Sequence, residues 1–343
     1  MKKKILLTGN LGYIGSVLNE ILLKDYYVIG IDSGLYEDDY FYDCPKPNVQ
    51  IKKDIRDLIE SDLDEINYVV HLASLSNDPL GEFDKNLTEE INFEASKNLI
   101  DLSLKKKIER FIYISSQSMY GISDETIELR EDESEKKPVT QYAKTKWEVE
   151  KYLFSIKNEN FITAALRPST VFGVSPRLRC DIVFNNFLAC AYTTNKIEIK
   201  SDGSPWRPVV HIKDVCSSIL ACLVAPKEIV DKKAFNVGIE NGNYQVRDIA
   251  KAVEKKIPEC EVIFTGEHLV DPRSYKVSFD RILNELGKYY KPEWNLDKGA
   301  DEMIEFFKRV NFTEKDFRGK KTNRIISLKE QINKSLDQKL KII

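Results

Sequence analysis

Short apolar runs alternate with helix-length periodic segments through the first half of the chain. "KKILLTG" is followed by a helical pattern from about Ile14, then come "YVIGID", "VQIKKD" and "YVVHLA", a helical "EEINFEASKNLIDLSLKK", and "RFIYISS". This order predicts a doubly wound parallel sheet of the Rossmann type, with helices on both faces. The runs "NYVVHLAS" and "RFIYISSQ" lack strict polar alternation, as strands covered on both faces should. The second half mixes its signals. It holds a helical "DIVFNNFLACAYTT", a turn at "SDGSPW", an extended "RPVVHI", then "AFNVG", "EVIFTG" and a helical "KGADEMIEFFKRV". We read a main sheet domain over 1–170 with returns near 209–237. A smaller, interleaved C-terminal substrate domain takes 171–208 and 238–310, and a basic extension takes 311–343.

Composition narrows the class. The 343 residues are 42% apolar and 31% charged with a net charge of −3, so no global charge points to nucleic acid or an anionic membrane surface. The opening "MKKKILLTGN" loses its apolar run at Thr8 and Gly9, too early for a secretory signal, and no window reaches the roughly 18 apolar residues of a spanning helix. Six scattered cysteines with no CxxC pair, and three histidines, suggest free thiols in a reducing cytoplasm and no metal. The extension from Asn311 holds nine basic and four acidic residues. A solvated helix packed back on the body or on a neighbouring subunit is the expected arrangement.

The candidate chemistry begins at "TGNLGYIG", where Gly9, Gly12 and Gly15 follow a strand and open a helix. A tight turn, close backbone approach to a pyrophosphate and close helix-strand packing all call for glycine there. Asp32, 20 residues after Gly12, stands where a carboxylate would bond the adenosine ribose and repel a 2′-phosphate. NAD is therefore expected over NADP.

A Tyr and a Lys four residues apart share a helical face, and the ammonium stabilises a phenolate. The chain has three such pairs. Tyr42/Lys46 encloses Pro45 and is read as loop; Tyr192/Lys196 follows no serine-bearing strand end. Tyr142/Lys146, in "PVTQYAKTKWEVEKYLF", opens a helix 26 residues beyond Ser116 of "SSQSMYG".

With these motifs the chain resembles an extended short-chain dehydrogenase/reductase, of the NAD-dependent nucleotide-sugar epimerase/dehydratase family, over about residues 4 to 310. The resemblance implies a catalytic set of Ser116, Tyr142 and Lys146. It implies cofactor contacts at Gly9, Gly12, Gly15, Asp32, Asp54, Ile55, Leu72, Ala73 and Pro168, besides Tyr142 and Lys146. Asn186, Arg207 and Arg273 resemble positions that hold a nucleoside diphosphate, the arginines through their planar forks. Arg177 and Arg179 of "SPRLRCDIVFNNF" are further substrate candidates, and His211 is read as structural. Asn92 resembles the asparagine of a dimer-forming helix, so a homodimer is expected.

The implied common step is oxidation at sugar C4, with Tyr142 taking the hydroxyl proton, Ser116 bonding the same oxygen and Lys146 depressing the Tyr142 pKa. A 4,6-dehydratase of the family places an Asp-Glu pair directly after the catalytic Ser or Thr; here Gln117 and Ser118 stand there. The reading is thus an NAD-dependent nucleotide-sugar epimerase acting through a 4-keto intermediate. The alternative is net C4 dehydrogenation or reduction of a nucleotide-activated sugar, with a 4,6-dehydratase or a non-catalytic NAD-binding regulator behind it.

Overall fold

The computed structural model describes residues 2–123, 127–267 and 274–330. Its framework is a parallel sheet of seven strands. Five come from the first third of the chain: β1 (Lys4–Thr8), β2 (Tyr27–Asp32), β3 (Val49–Lys52), β4 (Tyr68–His71) and β5 (Arg110–Ile114). The strands Ile162–Pro168 and Lys233–Val237 extend the sheet beyond β5, while β2 and β3 extend it beyond β1 on the other side. The order therefore reverses between β1 and β4, and a crevice opens at the carboxyl ends of these two strands, where ligands of such sheets bind.

The two-sided burial expected of the central strands is present: all five residues of β5 are buried, and so are Ile5 to Thr8 of β1. One apolar layer packs α1 (Tyr13–Leu22) and the Ile212–Val224 helix on one face of the sheet, through Leu18, Leu22, Val215 and Ile219. On the opposite face Leu99, Ile100, Val149 and Leu153 meet Leu6, Val69 and Phe111.

A second core, with Phe172, Phe184, Leu188, Val209, Ile249, Met303 and Phe307, belongs to the C-terminal half. Short sheets serve it, one pairing Val209 to His211 with Thr170 to Phe172, another pairing Glu261–Phe264 with Lys196–Ile199. The chain's extension joins this core through Phe312 and Phe317, and then crosses back over the crevice. Among the described residues no helix is long and apolar enough to cross a membrane. The six cysteines are free thiols.

Candidate active site

β1 ends at Thr8, and Gly9 turns the chain with a positive φ of 72°. A Cβ on Gly9 would lie 2.7 Å from Ala73 N, and one on Gly15 only 2.1 Å from Gly9 O, so both positions need glycine for β1, β4 and α1 to close together. Gly12 differs. It begins α1 with no side-chain cap; an ideal Cβ there would lie 3.1 Å from Gly9 O, a tighter fit than most, and 3.8 Å from Arg324 Nη2. An uncapped helix start at a bare backbone suits a pyrophosphate, so the cradle fits the expected dinucleotide.

Asp32 closes β2 beside this cradle. Its carboxylate accepts the Leu11 N–H (3.1 Å) and the Gly34 N–H (2.9 Å). Burial pushes its pKa up, against the pull of those two amides. Glu37 lines the same wall but is ion-paired with Lys52, so the preference for an unphosphorylated ribose rests on Asp32. Asp54 and Ile55 line the far end; Asp54 accepts from Arg56 N at 2.8 Å, and although burial raises its pKa, Arg56 brings it below the usual carboxylate value. Leu72, Ala73 and Pro168 complete the walls of one cavity of about 1170 Å³.

The same cavity brings together Ser116, Tyr142 and Lys146. Ser116 lies just beyond β5 and caps the turn Gln117–Tyr120 by accepting the Ser118 N–H at 3.1 Å. Tyr142 is the second residue of the Gln141–Ser155 helix, whose first turn is capped by Thr140 Oγ1 accepting from Ala143 N at 3.2 Å. Gly81 lets the Asp78–Phe83 helix approach, since a Cβ there would meet Tyr142 Cβ at 2.8 Å. One turn on, Lys146 Nζ lies 5.9 Å from the Tyr142 ring centroid and donates to Ile114 O at 2.8 Å.

The electrostatics correct one expectation. Burial raises the Tyr142 pKa, and the groups that oppose it are first the Ser116 hydrogen bond, then Arg179 and Arg324; Asp78 adds to the rise. Burial also brings the Lys146 pKa down to about 7, which weakens the ammonium that was to depress the phenol. Beneath the cradle His71 bonds Thr8 Oγ1 at 2.6 Å and Ser96 Oγ at 2.8 Å, and burial holds it neutral with a pKa near 3.

The substrate-side candidates divide. Arg207, on the strand Trp206–His211, lines the cavity, as does Arg179, which pairs with Asp181 through two 2.8 Å hydrogen bonds. Asn186 is not on the cavity wall; its amide donates to Cys180 O at 2.9 Å. Arg177 is likewise committed elsewhere, to Asp39 at 3.1 Å and to Lys321 O at 2.8 Å. Arg273 lies outside the described residues. His211 stacks on Trp294 at 4.1 Å and bonds Glu302 at 2.9 Å, away from the cavity. Asn92 is buried, and its amide clamps both polar backbone atoms of Leu75 (2.8 and 3.1 Å), fixing the loop after β4.

Sequence reasoning missed Asp78, Ser76 and Arg324, all on the cavity wall. Ser76 sits in a loop and Asp78 opens the six-residue Asp78–Phe83 helix, too short to show periodicity, while Arg324 sits in an extension that reads as a solvated basic helix. A signal for Arg324 was present: in "NRIISL" it is followed by a compact apolar run, unlike the lysine-rich remainder.

Comparison with known proteins finds relatives along most of the chain. A putative UDP-glucose 4-epimerase of Methanocaldococcus jannaschii is 28% identical over 325 residues, covering 90% of this chain and all of that one. A dTDP-D-glucose 4,6-dehydratase of Mus musculus is 26% identical over 333 residues, covering 90% of each. The structure of UDP-glucuronic acid 4-epimerase from Bacillus cereus, in complex with UDP-glucuronic acid and NAD, superposes with a TM-score of 0.74 at 24% identity over 90% of this chain and 99% of that one, a likeness of fold. Residues 5–238 match the NAD dependent epimerase/dehydratase family, and the chain belongs to that family.

Proposed function

We propose that this protein is an NAD-dependent nucleotide-sugar epimerase that oxidises and re-reduces the sugar at C4. The supporting observation lies directly after Ser116. Gln117 is buried and donates Nε2 to Arg167 O at 3.0 Å, and Ser118 Oγ lies 2.8 Å from Ser116 Oγ. Neither side chain is a carboxylic acid; Gln117 is tied to the Ile162–Pro168 strand and Ser118 to Ser116. Eliminating water requires a base at C5 and an acid at the C6 hydroxyl, which this turn does not supply.

When bound, NAD supplies the hydride acceptor and donor. Tyr142 takes the proton of the C4 hydroxyl and gives it back, while Ser116 bonds both the phenol and the reacting oxygen. Lys146, fixed to Ile114 O, holds the ribose side of the cofactor and keeps Tyr142 packed against the β5 end. Arg207 and Arg179 are placed to receive a diphosphate from the substrate side of the cavity. We read the protein as a homodimer of the cytoplasm.

Purified protein should carry NAD(H), visible by absorbance. A panel of UDP-, GDP-, CDP- and dTDP-sugars, read by mass spectrometry and NMR, should give one isobaric product that differs in configuration at C4. Release of a keto sugar with stoichiometric NADH would instead favour net C4 dehydrogenation.

A further inference from the structure

We infer that residues 313–330 form a strap across the cofactor crevice, and that Arg324 is a cationic ligand for the dinucleotide's pyrophosphate, brought in from the far end of the chain.

The strap is anchored along its length. Phe317 enters the second core, Cys180 N donates to Thr322 O at 3.1 Å, Arg177 donates to Lys321 O at 2.8 Å, and Ser327 Oγ donates to Asp39 Oδ2 at 2.7 Å. Leu328 is fully buried, and Ser327 and Leu328 line the cavity wall with Arg324. These contacts hold 313–330 as part of the site.

Arg324 is 93% buried, being 7% exposed. Nη1 donates to Ser76 Oγ at 2.7 Å, and the guanidinium lies 5.3 Å from the Tyr36 ring centroid. Its buried Nε has no hydrogen-bond partner among the described residues. Arg177 shares an unpartnered buried Nε, but it pairs with Asp39 and Arg179 pairs with Asp181, whereas Arg324 has no ion-pair partner among the described residues. Asp181 and Asp32 act on it through space but make no ion-pair contact with it, and a desolvated guanidinium without a bonded anion is costly unless one completes it.

The position identifies that anion. Nη2 lies 3.8 Å from an ideal Cβ on Gly12, at the uncapped start of α1, so the guanidinium stands beside the cradle. A pyrophosphate there would meet helix amides on one side and the Arg324 fork on the other. The diphosphate of the sugar substrate is the competing anion, but Arg324 keeps company with Ser76, Tyr36 and Gly12 on the cofactor side, whereas Arg207 lies on the substrate-side strand.

The test uses the full chain with Arg324→Gln and Arg324→Lys, folding being checked by circular dichroism. NAD retained through gel filtration is measured after acid release, and ADP-ribose, adenosine and UDP are titrated calorimetrically into protein stripped of nucleotide. We expect Arg324→Gln to retain little NAD and to bind ADP-ribose about ten- to a hundredfold more weakly, as for loss of a charged hydrogen bond. Adenosine and UDP affinities should change less than about threefold, and Arg324→Lys should fall between wild type and Arg324→Gln. If Arg324→Gln does not fold, the intermediate loss in Arg324→Lys carries the test. Unchanged NAD retention in a folded variant, equal weakening of ADP-ribose and adenosine, or weakening of UDP in place of ADP-ribose would each overturn the assignment. None of these readouts depends on which sugar is turned over.

Discussion

Ser116 Oγ and Ser118 Oγ lie 2.8 Å apart, and Ser116, on the same cavity wall as Tyr142, opposes the rise that burial gives the phenol's pKa. In the proposed mechanism Ser116 is the hydroxyl that connects the strand end to the base, and Ser118 is its support. Ser116→Ala should lower kcat about 10²-fold or more, the usual cost of removing a hydrogen-bond donor aimed at a reacting oxygen. Ser118→Ala should cost less than about tenfold and give the same product, since its own hydroxyl is one bond removed from the chemistry. Steady-state kinetics of the two variants on one accepted sugar distinguishes these roles.

Tyr142→Phe keeps the ring between the Asp78–Phe83 helix and Ser116 and removes only the acidic hydroxyl. Turnover should fall about 10²- to 10⁴-fold, with the NAD content of the purified protein unchanged. Full turnover by this variant would disprove Tyr142 as the base.

Behind the Ser115–Ser116 strand end, Glu150 and Arg167 form an ion pair with side chains 0% and 2% exposed. Glu150 also accepts from Ser115 Oγ at 2.8 Å, and Arg167 donates to Tyr120 OH at 2.8 Å. Glu150→Gln leaves the buried guanidinium without its charge partner, so chemical denaturation should show a loss of about 3–5 kcal/mol.

His71 provides a pH dependence. Its folded pKa, near 3, lies below its value of 6.5 in the unfolded chain. Below pH 6.5 the unfolded chain therefore binds a proton that the folded chain refuses, and stability falls as pH falls toward 3. Between pH 7 and pH 5 this histidine alone removes about 2 kcal/mol. The His71→Gln variant should lose correspondingly less of its Tm over that interval in paired thermal melts.

The parallel sheet was legible because its strands are short, largely apolar and punctuated: "RFIYI" and "KILLT" admit few other readings. Gly9 and Gly15 were legible for the same physical reason that the structure needs them, since their Cβ atoms would strike backbone. Ser116, Tyr142 and Lys146 were found as a set because a strand end and a helix opening can be read from pattern, and the cavity unites them. Residues on irregular backbone were less legible. Arg177 and Asn186 carry the right chemistry but spend it on Asp39 and Cys180 O, choices made by tertiary contacts. Arg324 lies 312 residues from Gly12 in sequence, and no local periodicity reports such a contact.

The central claim is that a hydride leaves C4 and returns to it without loss of water. The most direct measurement is turnover of an accepted nucleotide sugar deuterated at C4, followed by mass spectrometry and NMR of the product. The account predicts a C4 epimer of unchanged mass that keeps its deuterium at C4. A product lighter by one water, or a keto sugar with the deuterium recovered stoichiometrically in NADH, would contradict it.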